Sequence, residues 1–478
     1  MRHLTLFLLL SIIAVMTLLV SYPVAMASQE TGSPTHPKHT VTMTDAEVEN
    51  LVRRSLQYVA LYNTLLGFTF NKKNPFASGG WNKTHYPQGL LGASVRSIPR
   101  PNNDTLYTTS LLDLRKDPVI IHYPAFSSPY VGVETSAFDH YIDIPLATSK
   151  GDFKKPTSIL YYSARTEGYK GEPIQGVDKI LEMSGDFVFA NLRVMPQAAD
   201  PAKFKANMAA IKKVKLQTLS EFQGKPRKTA DKTVFPPYGK TGDTYAQQFL
   251  PVMQFVFNHI SFDPHDQMDQ AALAALAKVG VEPGKTYHAS QHGEIDGQQL
   301  AKAFAEINKE ENARWNDLPK ATLIKMFQPK GHMDIDTMLL QTVVGPMGQP
   351  ADQAVYPGIG TIDGKPMNAQ HDYVIRMTKD QMPPFTAFWS ATLYTTKEGL
   401  FIANKENKYS VGENAGMKLN ASGGIEIYVA AEQPKGVPAE NWLPINREDL
   451  GIGVMMRVYV PDLKKYMTWK APKAEKIK

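Results

Sequence analysis

From Asp45 the apolar residues Val48, Leu51, Val52, Leu56, Val59 and Leu66 return at helical spacing, and Asp45 and Glu47 suit the first turn of a helix. Pro75 and Gly79-Gly80 end that pattern. The runs Leu106 to Leu112, Val119 to Tyr123, Val131 to Phe138, Ile159 to Ser163 and Phe187 to Val194 then predict short strands separated by Pro, Gly and Asp turns. Helical spacing resumes over Pro201 to Ile211, Ala271 to Ala277, Gly297 to Arg314 and Lys320 to Phe327. Between them, Lys225 to Lys240 is a basic, Pro-rich connection with no apolar face. From about Asp352 strands return, at Tyr373 to Met377, Phe385 to Tyr394, Gly424 to Ala430 and Gly453 to Tyr459. Many short strands without βαβ spacing favour sandwiches or jelly rolls over a parallel sheet.

The expected organisation is mainly β with a helical module. Residues 45–195 read as a helical lead followed by a β-sandwich-like N-terminal domain, and residues 196–350 as a largely helical linking module. Residues 351–465 read as a jelly-roll-like C-terminal domain and 466–478 as a basic tail. Ahead of all this, Met1-Arg2-His3, the apolar run Leu4 to Val20 and the small residues of Ala25-Met26-Ala27 have the form of a secretory signal cut after Ala27. An uncleaved anchor is the alternative, since the run approaches the roughly 20 residues that span a bilayer. Residues 28–44 then form a polar, disordered lead-in, and the mature chain is expected to be periplasmic or secreted, with no transmembrane span once the signal is removed.

The chain has 478 residues and no cysteine, so thiolate catalysis and cysteine-ligated metal sites are excluded. Its formal net charge of +6 is concentrated in the tail, where Lys464, Lys465, Lys470, Lys473, Lys476 and Lys478 predict a solvated, frayed terminus. No nucleic-acid reading motif accompanies that charge, and no nucleic-acid partner is expected.

Two segments carry a family resemblance. The first is Arg100-Pro-Asn-Asn-Asp-Thr-Leu-Tyr107, continuing to Asp117-Pro118-Val119, which resembles the hallmark of the DUF1254 domain. The second runs from Pro383-Pro384-Phe385 through Phe388-Trp389-Ser390-Ala391-Thr392-Leu393-Tyr394 and Gly424-Ile425-Glu426-Ile427-Tyr428 to Asn441-Trp442-Leu443-Pro444 and Arg457-Val458-Tyr459, and is similar to the DUF1214 domain. The resemblance implies a sandwich, a helical element and a jelly roll, a secreted or periplasmic life in bacteria, and a homodimer. It implies no chemistry.

Within those motifs, Asn102-Asn103-Asp104-Thr105 fixes a tight entry into the following strand, or else Asn103, Asp104 and Tyr107 line a polar pocket. Alternation puts Phe388, Ser390 and Thr392 on one face of their strand and Trp389, Ala391 and Leu393 on the other. Trp389 suits a core. Trp442 suits either a plug over a sandwich end or an aromatic wall for a flat ligand. Arg457, in an otherwise apolar strand, needs a buried partner or faces a cavity and an anionic ligand. His259, Asp263 and His265 form a weak metal-ligand cluster, as do His288, His292 and Glu294. There is no nucleophile elbow and no phosphate loop, and no cofactor is expected. The expected function is an exported protein that binds a small molecule or saccharide in or between its β domains. The alternatives are a metal-assisted or carboxylate-driven hydrolase and an envelope-associated structural protein.

Overall fold

In the computed structural model, which describes residues 42–287, 295–315, 318–345 and 347–477, the first helix runs Asp45–Phe70. Thr44 caps it reciprocally: its hydroxyl accepts from the Glu47 amide at 3.3 Å, and the Glu47 carboxylate accepts from the Thr44 amide at 3.1 Å. Its apolar residues extend well beyond one stripe because helices Phe249–Asn258, Gln267–Ala277, Gly297–Trp315 and Ile335–Val344 all pack against it. Two polar side chains inside that bundle are satisfied locally. The Ser55 hydroxyl donates to the Leu51 carbonyl at 2.7 Å, and Gln57 Nε2 donates to the Asp139 carbonyl at 2.8 Å.

The helices rest on a five-stranded sheet in the order Lys83–His85, Leu106–Asp113, Phe187–Val194, Val131–Ser136, Asp143–Ala147. Alternation divides its central strands cleanly. Leu111, Phe187 and Phe189 join the helical core, whereas Leu106, Leu112, Val188 and Leu192 face a second, four-stranded sheet. That second sheet has the order Lys179–Met183, Thr157–Ser163, Val119–Tyr123, Lys215–Thr218. The two sheets share an apolar core and make the N-terminal sandwich.

A second sandwich follows. One of its sheets is built on the long strands Phe385–Thr395 and Gly451–Pro461, and the other on Tyr373–Met377 and Ile425–Ala430. Trp389, Ala391, Val454, Met456 and Val458 meet Ile375, Ile427 and Val429 in its core. Among the described residues the fold is thus four sheets with a helical module, and His39–Lys478 packs as one unit.

Three features depart from the sequence pattern. Helices Phe249–Asn258 and Ile335–Val344 and the strand Lys215–Thr218 were not expected, and the helix at Lys320–Leu323 is shorter than its pattern. The segment 225–240 has no regular element and is largely exposed, but Phe235 reaches inward to Trp81, Phe187 and Phe255. The basic tail is ordered rather than frayed: Ala474–Lys476 pairs antiparallel with Tyr373–Met377, and Ala474 is fully buried. Backbone pairing at a sheet edge and one buried methyl outweigh the repulsion of solvated lysines, which point away.

The signal segment 1–27 and most of the lead-in lie outside the described residues. Among the described residues no helix is long and apolar enough to cross a membrane.

Deleting residues 470–478 removes that edge strand, so the melting temperature should fall by at least about 2 °C in calorimetry. A truncated chain that melts with the parent would show that the strand is dispensable.

Candidate functional site

The antiparallel register of Leu106–Asp113 and Phe187–Val194 places Tyr107 opposite Arg193 and Thr109 opposite Asn191. Residues two apart share a face, so Tyr107 and Thr109 line up with Phe189, Asn191 and Arg193 on the side away from the sandwich core. They form one wall of a cavity of about 110 Å³. Met455 and Arg457 of the C-terminal sandwich stand on the wall as well. Phe68 from the first helix, Trp315 and Val344 from the ends of two others, and the segment around Arg100 complete it.

The family motifs meet beside this cavity. Asn102 Nδ2 donates to the Tyr459 hydroxyl at 2.7 Å, the Ser390 hydroxyl donates to Asp104 Oδ2 at 2.6 Å, and the Ser410 hydroxyl donates to Asn103 Oδ1 at 3.2 Å. The Tyr394 hydroxyl donates to the Pro101 carbonyl at 2.6 Å, and Arg457 donates to the Arg100 carbonyl at 2.9 Å and to Thr392 Oγ1 at 3.1 Å. Thus the face of the 385–395 strand that carries Phe388, Ser390 and Thr392 turns toward the N-terminal sandwich. Phe388 stacks on Tyr459 at 4.0 Å, and Tyr130 packs against both. Asn102 Oδ1 also accepts from the Asp104 amide at 2.6 Å, the turn its composition suggests.

Three arginines line the cavity, and they differ electrically. Arg193 is neutralised: Nε lies 2.7 Å and NH2 2.5 Å from Oε2 of the fully buried Glu134. Arg457 is hydrogen-bonded as above and shares its field with Asp104, whose carboxyl burial pushes up against the pull of Arg457. Arg100 has no carboxylate in ion-pair range among the described residues. Its NH1 donates to the Val344 carbonyl at 3.2 Å, and its guanidinium lies over the Trp315 ring at 5.5 Å. Burial, together with repulsion from Arg457, depresses its pKa. The titratable groups on the wall are arginines and tyrosines, with Asp104 and Glu134 behind it.

Of the residues singled out from sequence, Tyr107 and Arg457 line the cavity. Asn103 and Asp104 belong to the seam, where Asn103 also bonds the Leu91 carbonyl. Trp389 is wholly buried in the C-terminal core. Trp442 is partly buried away from the cavity, its Nε1 donating to the Ala430 carbonyl at 2.8 Å, as suits a strand-end cover. The proposed metal cluster does not assemble. His259 Nδ1 engages Asp186 at 2.8 Å, a carboxylate also held by Ser163 and Arg165, whereas Asp263 accepts from the amide of the exposed His265 at 2.8 Å. Among the described residues no three His, Cys, Asp or Glu side chains converge as ligands. His288, His292 and Glu294 lie outside the described residues. Sequence reading missed Arg100, Asn191 and Arg193 as cavity residues. Arg193, a cation inside the apolar run Phe187 to Val194, carried the same signal as Arg457.

Behind the seam, burial and the nearby Asp104 push Glu413 from an ordinary 4.5 up to about 7, against the Trp389 amide that donates to it at 2.8 Å. Between those values the folded chain binds more protons than the unfolded one, so stability falls as pH rises from about 4.5 to about 7. Glu413→Gln keeps an acceptor for Trp389 and removes this loss. It should stabilise the protein by roughly 2 kcal/mol at pH 8 and leave it unchanged near pH 4 in urea melts. Superimposable pH profiles for variant and parent would overturn the assignment.

Residues 81–218 match the protein of unknown function DUF1254, and residues 354–463 match the protein of unknown function DUF1214. No curated protein matches the chain. The crystal structure of the VPA0106 protein from Vibrio parahaemolyticus superposes with a TM-score of 0.67 at 21% identity, over 90% of this chain and 100% of that one, a shared fold. An uncharacterized protein from Burkholderia cenocepacia matches at a TM-score of 0.42 and 15% identity, over 94% of this chain and 92% of that one. With one signature at residues 100–107 and the other along residues 383–459, joined across a hydrogen-bonded seam, the chain belongs to the DUF1254/DUF1214 domain-containing proteins.

Proposed function

We propose that the protein is an exported binder of a small molecule, held in the cavity where the two sandwiches and the helices meet. The observation that carries this reading is the lining itself. Phe68, Phe76, Phe189, Trp315, Met326 and Met455 surround a few convergent polar groups, the composition usual in ligand sites. The apolar walls favour a ligand with an apolar body over a saccharide, whose hydroxyls would face phenylalanine and methionine without partners. Arginine and tyrosine at the wall hold charge and position groups, whereas acid–base hydrolysis needs a group that exchanges protons near neutral pH. Export rests on the signal-like segment Met1 to Ala27, and a periplasmic or secreted location follows from it.

Native mass spectrometry of the chain purified from the periplasm should find the polypeptide cut after Ala27 and able to take one small organic adduct. Met455→Trp, which fills the cavity from a partly exposed position, should lose that adduct while melting near the parent temperature. An adduct that survives Met455→Trp places binding elsewhere and defeats the reading.

A further inference from the structure

We infer that the cavity takes a hydrophobic monocarboxylate of about the size of benzoate, with Arg100 as its counter-ion. This rests on the cavity being a ligand site. The charge count is the first argument. Arg193 pairs with Glu134, whereas Arg457 has no carboxylate in ion-pair range among the described residues but faces the buried Asp104 and donates to two seam oxygens. Arg100 is the least compensated of the three: partly buried, it has no carboxylate in ion-pair range and one side-chain hydrogen bond among the described residues. A charge partly withdrawn from water without a partner is unfavourable, and a single anionic group on a ligand relieves it.

The backbone gives a second, independent argument. Arg100 sits at φ +49°, a region that side-chain-bearing residues rarely adopt. Pro99 and Pro101 flank it, its amide donates to the Gly399 carbonyl at 2.7 Å, and its carbonyl accepts from Arg457. Strain maintained by so many contacts fixes where the guanidinium enters the cavity. The Trp315 face then orients its plane. Among the described residues only NH1 is bonded, to Val344, which leaves Nε and NH2 as a fork that suits the two oxygens of a carboxylate.

A third argument comes from the opposite wall. Asn191 is buried, and although it lies near enough to Glu134 to steady that carboxylate, its Nδ2 makes no hydrogen bond of ordinary length. It offers a neutral donor to a second acceptor on the ligand. The space of about 110 Å³ is smaller than the roughly 150 Å³ of an engineered apolar cavity that admits benzene, so a single ring with one small charged group is the upper limit of what it takes. A phosphate monoester, with nearly two charges, exceeds what one free cation compensates.

The test is calorimetric titration of the full mature chain at pH 7 with benzoate and cyclohexanecarboxylate, and with benzamide and benzyl alcohol as neutral counterparts. The acids should bind at one per chain and more tightly than the neutral pair. Arg100→Met should weaken the acids about 10- to 100-fold and leave the neutral compounds nearly unchanged. Arg100→Lys, which keeps the charge, should restore part of the loss and guards against a folding defect. Equal binding of acid and neutral compounds, both blocked by Met455→Trp, would overturn the carboxylate inference and keep the cavity reading. Acid binding untouched by Met455→Trp, or no binding by any of the four probes, overturns the carboxylate inference; the first of these outcomes also removes the cavity as the binding site.

Discussion

Everything near the cavity depends on one polar seam: the segment 100–105 hydrogen-bonded to the strands 385–395 and 451–461. Polar atoms taken out of water must find partners, and here each sandwich supplies what the other lacks. Asp104, 1% exposed, receives the Ser390 hydroxyl; Asn102 reaches the Tyr459 hydroxyl; Arg457 caps the Arg100 carbonyl. Substituting one member leaves the other buried and unpaired, which is more harmful than never having had the pair. The two signatures therefore read as halves of a single interlock. Their polar residues sit on strand faces that an isolated sandwich would expose to solvent.

The interlock also explains the electrostatics of the cavity. Glu134 and Asp104 lie behind its wall, one ion-paired with Arg193 and one facing Arg457, so the positive field at the surface is reduced most where Arg193 stands and least at Arg100. Apolar walls of low polarisability make that remaining charge act more strongly than it would in water. Shape and charge thus select together.

Much of the scaffold was legible in the chain because alternation is local. Val119 to Tyr123, Phe187 to Val194 and Tyr373 to Met377 coincide with the observed strands, and Pro201 to Ile211 with its helix. The helix Phe249–Asn258 was not legible, since it is apolar nearly throughout and carries Pro251 in its first turn, so no 3.6-residue period stands out. Ile335–Val344 failed for another reason: Thr337, Gln341 and Thr342 are buried with its apolar residues, so polar and apolar positions do not separate into faces. Tyr107 and Arg457 could be picked out as polar residues in apolar strands. Arg100 could not, because its role depends on Gly399, Val344 and Trp315, all more than 200 positions away. Asn103, Asp104 and Trp442 were conspicuous for reasons of architecture: two lock the seam, and one covers a strand end.

The helix Asp45–Phe70 has a consequence for the order in which the chain folds. It leads the described elements, yet the helices that surround it begin at Thr241 or later. For some 170 residues of elongation, Tyr58, Leu61, Tyr62 and Leu65 have no helical partners to cover them. Contacts so remote in sequence slow folding and prolong the lifetime of states with exposed apolar surface. A chain of this design gains from a holdase that shields its first helix until the last of its partners has emerged.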